Sequence, residues 1–333
     1  MSARWKQRPE GGGRFALWLI RSIGRHGGRR VGRACLYPIV LYFLVRRGPE
    51  RRASRAWLSH AFGRPATLLE VARHIHAFAA TILDRIFLLS GELHRFDIAI
   101  EGLPELEAKL RGGRGVLLFG SHLGSFEALR VLAGTRPDIG LRVVLDKGHN
   151  PAITQLLDAL NPQVAATVID AGRPGPDIMF AIDAALAQGC MVALLVDRAQ
   201  PGEPAMAAPF FGAPAPFPLA PWRLAAVLGA PVMLAFGLYR GGNRYDLRFE
   251  PFDDGEAVPR PRRAAHVAAL IERYAARLED LARRFPYDWF NFYDYWEGGS
   301  AARGIDDAGG RRAGAGAGAG DRDAGDRVDA GAR

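Results

Sequence analysis

Cysteine is almost absent from this 333-residue chain: Cys35 and Cys190 are the only two. Both sit in apolar surroundings without metal-ligand spacing. This excludes a disulfide framework and predicts buried thiols in a reducing, cytoplasmic setting. No long hydrophobic run appears near the N-terminus either. The run ACLYPIVLYFLV has twelve residues (34–45) and contains Pro38. As a helix it reaches roughly 18 Å, short of the ~30 Å hydrocarbon core of a bilayer. The earlier FALWLI stretch (15–20) is too short for a signal peptide before Arg21, and no small-residue cleavage site follows. Acidic residues are scarce at this end: residues 1–60 hold fourteen Arg or Lys against Glu10 and Glu50.

The net charge of +9 therefore belongs to one segment, since residues 1–60 alone sum to +12. A basic segment suits nucleic acid or an anionic lipid surface. The apolar residues between the arginines decide for the membrane and against nucleic acid. Residues 1–60 read as a shallow anchor on an anionic membrane surface, with ordinary core helices beneath a solvated arginine face as the alternative. At the other end, residues 298–333 hold eleven Gly and ten Ala, a composition that builds no core and predicts a disordered tail.

Residues 61–297 form the folded body. Leu68, Val71, Ile75, Phe78, Ile82, Ile86 and Leu89 recur at spacings of three and four, which predicts a long amphipathic helix over 67–90 with His74 and His76 on its surface. From residue 96, short apolar runs at 96–101, 115–119, 141–145, 164–169, 191–196, 231–239 and 245–250 alternate with helical patterns. The last of these runs reads as a half-exposed edge strand. The order predicts an α/β fold with a mostly parallel mixed sheet flanked by helices, closed by a helix near 260–284.

The stretch GVLLFGSHLGSFEALRVLA (115–133) carries the chemistry. A buried strand ends at Gly120, Ser121 caps, and a helix is expected over 124–133. His122 then lies in the turn at the carboxyl end of a strand, where open α/β sheets bind ligands. Glu127 in the second helical turn is placed to hold one imidazole nitrogen, leaving the other to accept a proton from a hydroxyl. Gly120 and Gly124 allow close approach of backbone and substrate. Amides at the helix start are candidate oxyanion donors. Spacing alone leaves open a capping or packing histidine.

His-Leu-Gly-Ser-Phe-Glu after an apolar strand resembles the active-site motif of the lysophospholipid acyltransferase superfamily, nearest to the late acyltransferases of lipid A biosynthesis. LRVVLDKGHNPAITQLLDALNP (141–162) is similar to their second block, with Lys147 standing where the family has Arg, and with Asn150 in an Asn-Pro turn. LLVDRAQPGE and the following APFFGAPAPFPLAPWRLAAVLGAPV resemble the third block, with Asp197 at a strand end, Arg198 beside it, and Phe210 and Phe211 in a Pro-Phe-Phe-Gly turn.

The resemblance implies a His122/Glu127 dyad and a substrate pocket drawn from Gly120, Ser121, Gly124, Ser125, Lys147, Asn150, Asp197, Arg198, Phe210 and Phe211. It implies no bound cofactor, and an acyl thioester of acyl carrier protein or coenzyme A as donor. The acceptor would be a lipid or glycolipid hydroxyl at the cytoplasmic face of the cell inner membrane. No Gly-x-Ser-x-Gly elbow is present, which favours direct transfer without an acyl-enzyme. The aromatic-proline stretch around Phe210, Phe211, Phe217 and Trp222 reads as an acyl-channel wall or as packing. The six aromatics within 289–296 read as a lipid-facing edge or as a closing strap. Two other readings remain: a non-catalytic lipid-binding protein of this fold, and a hydrolase with a metal at His122, Glu127 and His149.

Overall fold

The computed structural model describes residues 28–129, 139–148, 151–200 and 202–296. Three helices lead: α1 (Gly28–Arg46), α2 (Gly48–Phe62) and α3 (Leu68–Leu89). Helix α3 opens with a capping box, in which Thr67 accepts from the Glu70 amide and Glu70 accepts from the Thr67 amide. Pro38 is contained within α1, whose Leu36 and Val40 are buried. The other face of α1 leaves Val31, Tyr37, Leu41, Tyr42 and Val45 at least half exposed. Among the described residues no helix is long and apolar enough to cross a membrane.

The strands are β1 (Asp97–Glu101), β2 (Val116–Gly120), β3 (Leu141–Leu145), β4 (Ile169–Asp170), β5 (Met191–Leu195), β8 (Val232–Tyr239) and β9 (Arg244–Asp253), ordered β1-β9-β8-β2-β5-β3-β4. All pairings are parallel except β8 with β9, so the α/β mixed sheet is mostly parallel, as expected. Helices α4 (Leu103–Leu110), α5 (Pro151–Leu160), α6 (Pro162–Ala165), α7 (Gly175–Ala187), α8 (Ala220–Leu228) and α9 (Arg263–Arg284) connect or flank them.

The period-two geometry of the central strands feeds two cores. Leu117, Phe119, Val192, Leu194 and Leu234 join the core shared with α8 and α9. Val116, Leu118, Met191, Ala193 and Met233 join the core under α3 and α4. Strand β2 is buried along its whole length, which is why its sequence runs continuously apolar.

Several expectations change. Strand β9 alternates as read, with Tyr245, Leu247 and Phe249 buried, but β1 lies outside it and forms the edge. Residues 164–169 contribute only the end of α6 and the start of a two-residue strand. The aromatic-proline stretch is a hairpin, β6 (Ala205–Phe210) against β7 (Ala213–Pro218). His74 is fully buried, bonded to Ser54 Oγ at 2.8 Å and to the Trp289 carbonyl at 3.0 Å. Burial lowers its pKa to about 4, so it serves as a neutral internal brace between α2, α3 and the C-terminal segment. The predicted tail and residues 130–133 of the predicted 124–133 helix lie outside the described residues, and the described part of that helix is a 3-10 turn, Phe126–Leu129.

Candidate active site

Strands β2 and β5 run side by side in parallel with Gly120 opposite Leu195. Two residues beyond each strand end come His122 and Asp197, and the shared register brings them together. His122 Nδ1 lies 2.8 Å from Asp197 Oδ1, and the His122 amide donates to Asp197 Oδ2 at 3.0 Å. Asp197 is wholly buried while the His122 side chain stays 36% exposed, so one face of the imidazole is open to a substrate.

The buried carboxylate is well supported. Trp289 Nε1 donates to its Oδ2 at 3.2 Å, and Tyr295 donates to the Asp197 carbonyl at 2.6 Å. Burial by itself raises a carboxyl pKa. Here the His122 ring and the Arg198 charge outweigh that and hold Asp197 below the usual carboxylate range. For His122, burial comes first and lowers its pKa, Arg198 and Arg85 lower it further, and Asp197 opposes them. The resting imidazole is therefore neutral at pH 7, with Nδ1–H assigned toward the carboxylate and Nε2 left as the basic nitrogen.

Glu127 does not occupy the place expected for it. Only a 3-10 turn, Phe126–Leu129, follows the catalytic turn in the described region, and it directs Glu127 toward α3. Glu127 Oε1 lies 2.7 Å from Arg85 Nε, and its Oε2 accepts from Ser125 Oγ at 3.2 Å. The carboxylate that holds the imidazole is Asp197. Of the amides around the turn, those of His122, Gly124 and Ser125 are taken, bonding Asp197, the Asp288 carbonyl and the Gly237 carbonyl. Two buried donors at the site, Ser121 Oγ and Arg198 Nε, make no hydrogen bond of good geometry among the described residues, with Tyr274 beside the first and Asp197 Oδ2 3.8 Å from the second.

The turn is possible because two glycines face each other. Gly124 has φ +79°, and a Cβ there would overlap the Gly237 carbonyl oxygen. A Cβ on Gly237 would in turn meet the Ser125 carbonyl oxygen. The turn that carries His122 is thereby laid directly on β8.

Other candidates fall further out. Lys147 lies just past β3, two strands from β2, with its amide on Asp170 Oδ1 at 3.2 Å. Strand spacing puts it on the same carboxyl edge of the sheet, roughly 10 Å from the His122 strand. Asn150 and His149 lie outside the described residues. Phe210 is fully buried against Trp289 and Phe211 is buried against Trp57, so both pack the core and do not wall an open channel. The aromatic-rich C-terminal segment is a strap. Trp289 and Tyr295 are buried, and the Phe290 amide donates to the His122 carbonyl at 2.9 Å. Among the described residues, no group of three or more His, Cys, Asp or Glu is arranged to hold a metal ion.

Sequence comparison bears on this site. The family model described as bacterial lipid A biosynthesis acyltransferase matches residues 71–297, which contain His122, Glu127, Asp197 and Arg198. No individual curated protein matches the chain.

Proposed function

This chain belongs to the bacterial lipid A biosynthesis acyltransferase family, and from that premise we propose that His122 is the general base for acyl transfer to a lipid or glycolipid hydroxyl. The observation that carries the reading is the 2.8 Å contact of His122 Nδ1 with buried Asp197, which leaves Nε2 as the free ring nitrogen of a side chain that is 36% exposed.

In this reading Nε2 takes the proton of the acceptor hydroxyl as its oxygen attacks the thioester carbonyl carbon. The C–S bond then breaks, and the departing thiolate receives that proton from the imidazolium. Asp197 fixes the tautomer and stabilises the transient positive ring. Ser121 Oγ and Arg198 Nε, neither of which makes a hydrogen bond of good geometry among the described residues, are the candidates to face the tetrahedral oxyanion. Glu127 acts at one remove, by holding the Arg85 cation beside the ring. The donor is an acyl thioester of acyl carrier protein or coenzyme A. The exposed apolar face of α1, with the basic N-terminal segment, supports attachment to the cytoplasmic face of the inner membrane.

The two carboxylates are separable by experiment. Asp197→Asn is expected to lower transfer from a labelled thioester by about 10²–10⁴-fold, because an amide permits the wrong imidazole tautomer. Glu127→Gln is also expected to be slow, chiefly because Arg85 becomes an uncompensated cation. The double variant Glu127→Gln/Arg85→Gln should regain part of that loss, whereas Arg85→Gln should not rescue Asp197→Asn. Equal rescue of both, or near-normal turnover by Asp197→Asn, would reverse the assignment.

A further inference from the structure

A cavity of about 660 Å³ opens beside Asp288, just ahead of the strap. It lies between α1, α3, the end of β8 and residues 284–288. It shares no lining residue with the catalytic turn. Arg33, Arg73 and Arg284 line it, and Asp288 is the one acidic residue among its lining residues. Tyr37 and Leu69 form its mouth, being 70% and 63% exposed, and they continue into exposed Leu41 and Leu68.

We infer that this cavity binds the headgroup of a single anionic phospholipid, with Arg33 and Arg73 on the phosphate and the acyl chains leaving past Tyr37 and Leu69. The site deepens the membrane reading given above and is separate from the acyl-transfer site. Three observations point to an anion carried on an apolar stem. Arg73 is exposed and has no ion pair or hydrogen bond among the described residues, so its charge is uncommitted. Arg33 is pre-positioned, since its Nη1 donates to Tyr239 Oη at 3.1 Å and to the Gly242 carbonyl at 3.0 Å, leaving other guanidinium donors for a ligand.

Asp288, only 4% exposed, is the third. Its Oδ2 accepts from the Tyr239 amide at 2.8 Å, while its Oδ1 has no partner among the described residues. Burial pushes this carboxyl up to about 8, against the opposing Tyr239 hydrogen bond and the Arg240 charge. It therefore presents a neutral O–H and does not repel an anion. His76, whose ring lies tilted against Tyr37 with centroids 5.6 Å apart, has its pKa lowered by burial and by Arg33 and adds a neutral polar group. The volume falls in the range of small-ligand sites and accommodates a phosphate, its glycerol and the start of the chains. The Asp288 carbonyl accepts from the Gly124 amide at 2.8 Å, which ties the floor of this cavity to the catalytic turn.

The test is calorimetric titration of the full chain with dihexanoyl phosphatidylglycerol below its micelle concentration. Dihexanoyl phosphatidylcholine and inorganic phosphate serve as the comparison ligands. Saturable one-to-one binding of the anionic lipid is expected, with phosphatidylcholine and free phosphate each at least about tenfold weaker. Arg73→Glu/Tyr37→Ala, both at exposed positions, should weaken binding about tenfold or more, while Arg73→Lys stays near wild type and His122→Ala binds normally. Should the double variant melt early, Arg73→Glu alone carries the same expectation. Equal binding of phosphatidylcholine, equal binding of inorganic phosphate, an unaffected Arg73→Glu protein, or loss of binding in His122→Ala would each overturn the site. Acyl transfer from a labelled thioester, measured alongside, reports on the catalytic assignment independently.

Discussion

His122 is set between opposing influences, and their balance has a measurable sign. Burial and the Arg198 cation hold its pKa below the ordinary 6.5, while Asp197 pulls it upward. A general base must be neutral, so transfer should be level near pH 7 and fall as pH drops through the depressed pKa. Removing the cation in Arg198→Ala relieves one depressing influence, so the acid limb of kcat/KM should move to higher pH even as the overall rate falls. A limb that stays in place or moves to lower pH would mean that another group titrates. The partner of this histidine was hard to read because Asp197 is 75 residues away. The signal was nevertheless present. Both residues stand two positions past the end of an apolar strand, and parallel neighbours with aligned ends place such residues side by side. Glu127, nearer in sequence, was the more tempting partner. A local His-x-x-x-x-Glu spacing fixes neither the 3-10 turn nor the long reach of Arg85 from α3.

The element that carries His122 is a turn laid on β8, and it depends on two residues without side chains. Gly124→Ala would need a left-handed backbone at φ +79° and would drive a methyl group into the Gly237 carbonyl. The variant should melt at lower temperature and lose acyl transfer, as followed by circular dichroism and a labelled-thioester assay. Unchanged melting with full activity would show that the turn has room to relax. The strands around it were legible because β2, β5 and β8 are covered on both faces and so read as unbroken apolar runs. The edge was misread because alternation in β9 reports its inner face alone; the run at 96–101 was legible as a strand, but nothing in its sequence says that it pairs outside β9. His74 was misread for a related reason. Helical periodicity marks apolar positions, and a buried histidine satisfied by Ser54 and a distant carbonyl breaks that pattern.

For the whole molecule, charge and exposed apolar surface are concentrated at the N-terminal end. The remaining chain sums to a small negative charge, while residues 1–60 carry +12. Helix α1 presents Leu41 and Val45 outward at 61% and 66% exposure. Each basic side chain near an anionic bilayer contributes about 1 kcal/mol, screened over a Debye length of roughly 8 Å. The protein should therefore sediment with anionic vesicles at low salt and be partly released as salt rises. Leu41→Asp/Val45→Asp should release more of it without altering the melt. Salt-independent retention by neutral vesicles would contradict that account. The claim on which the rest depends is that an Asp197-held imidazole performs the proton transfer. It is tested most directly by acyl transfer from a radiolabelled thioester to the lipid acceptor, comparing wild type with His122→Ala at matched folding. A loss of about 10²–10⁴-fold with an unchanged melt is predicted. A folded His122→Ala protein that transfers at near the wild-type rate would contradict the mechanism.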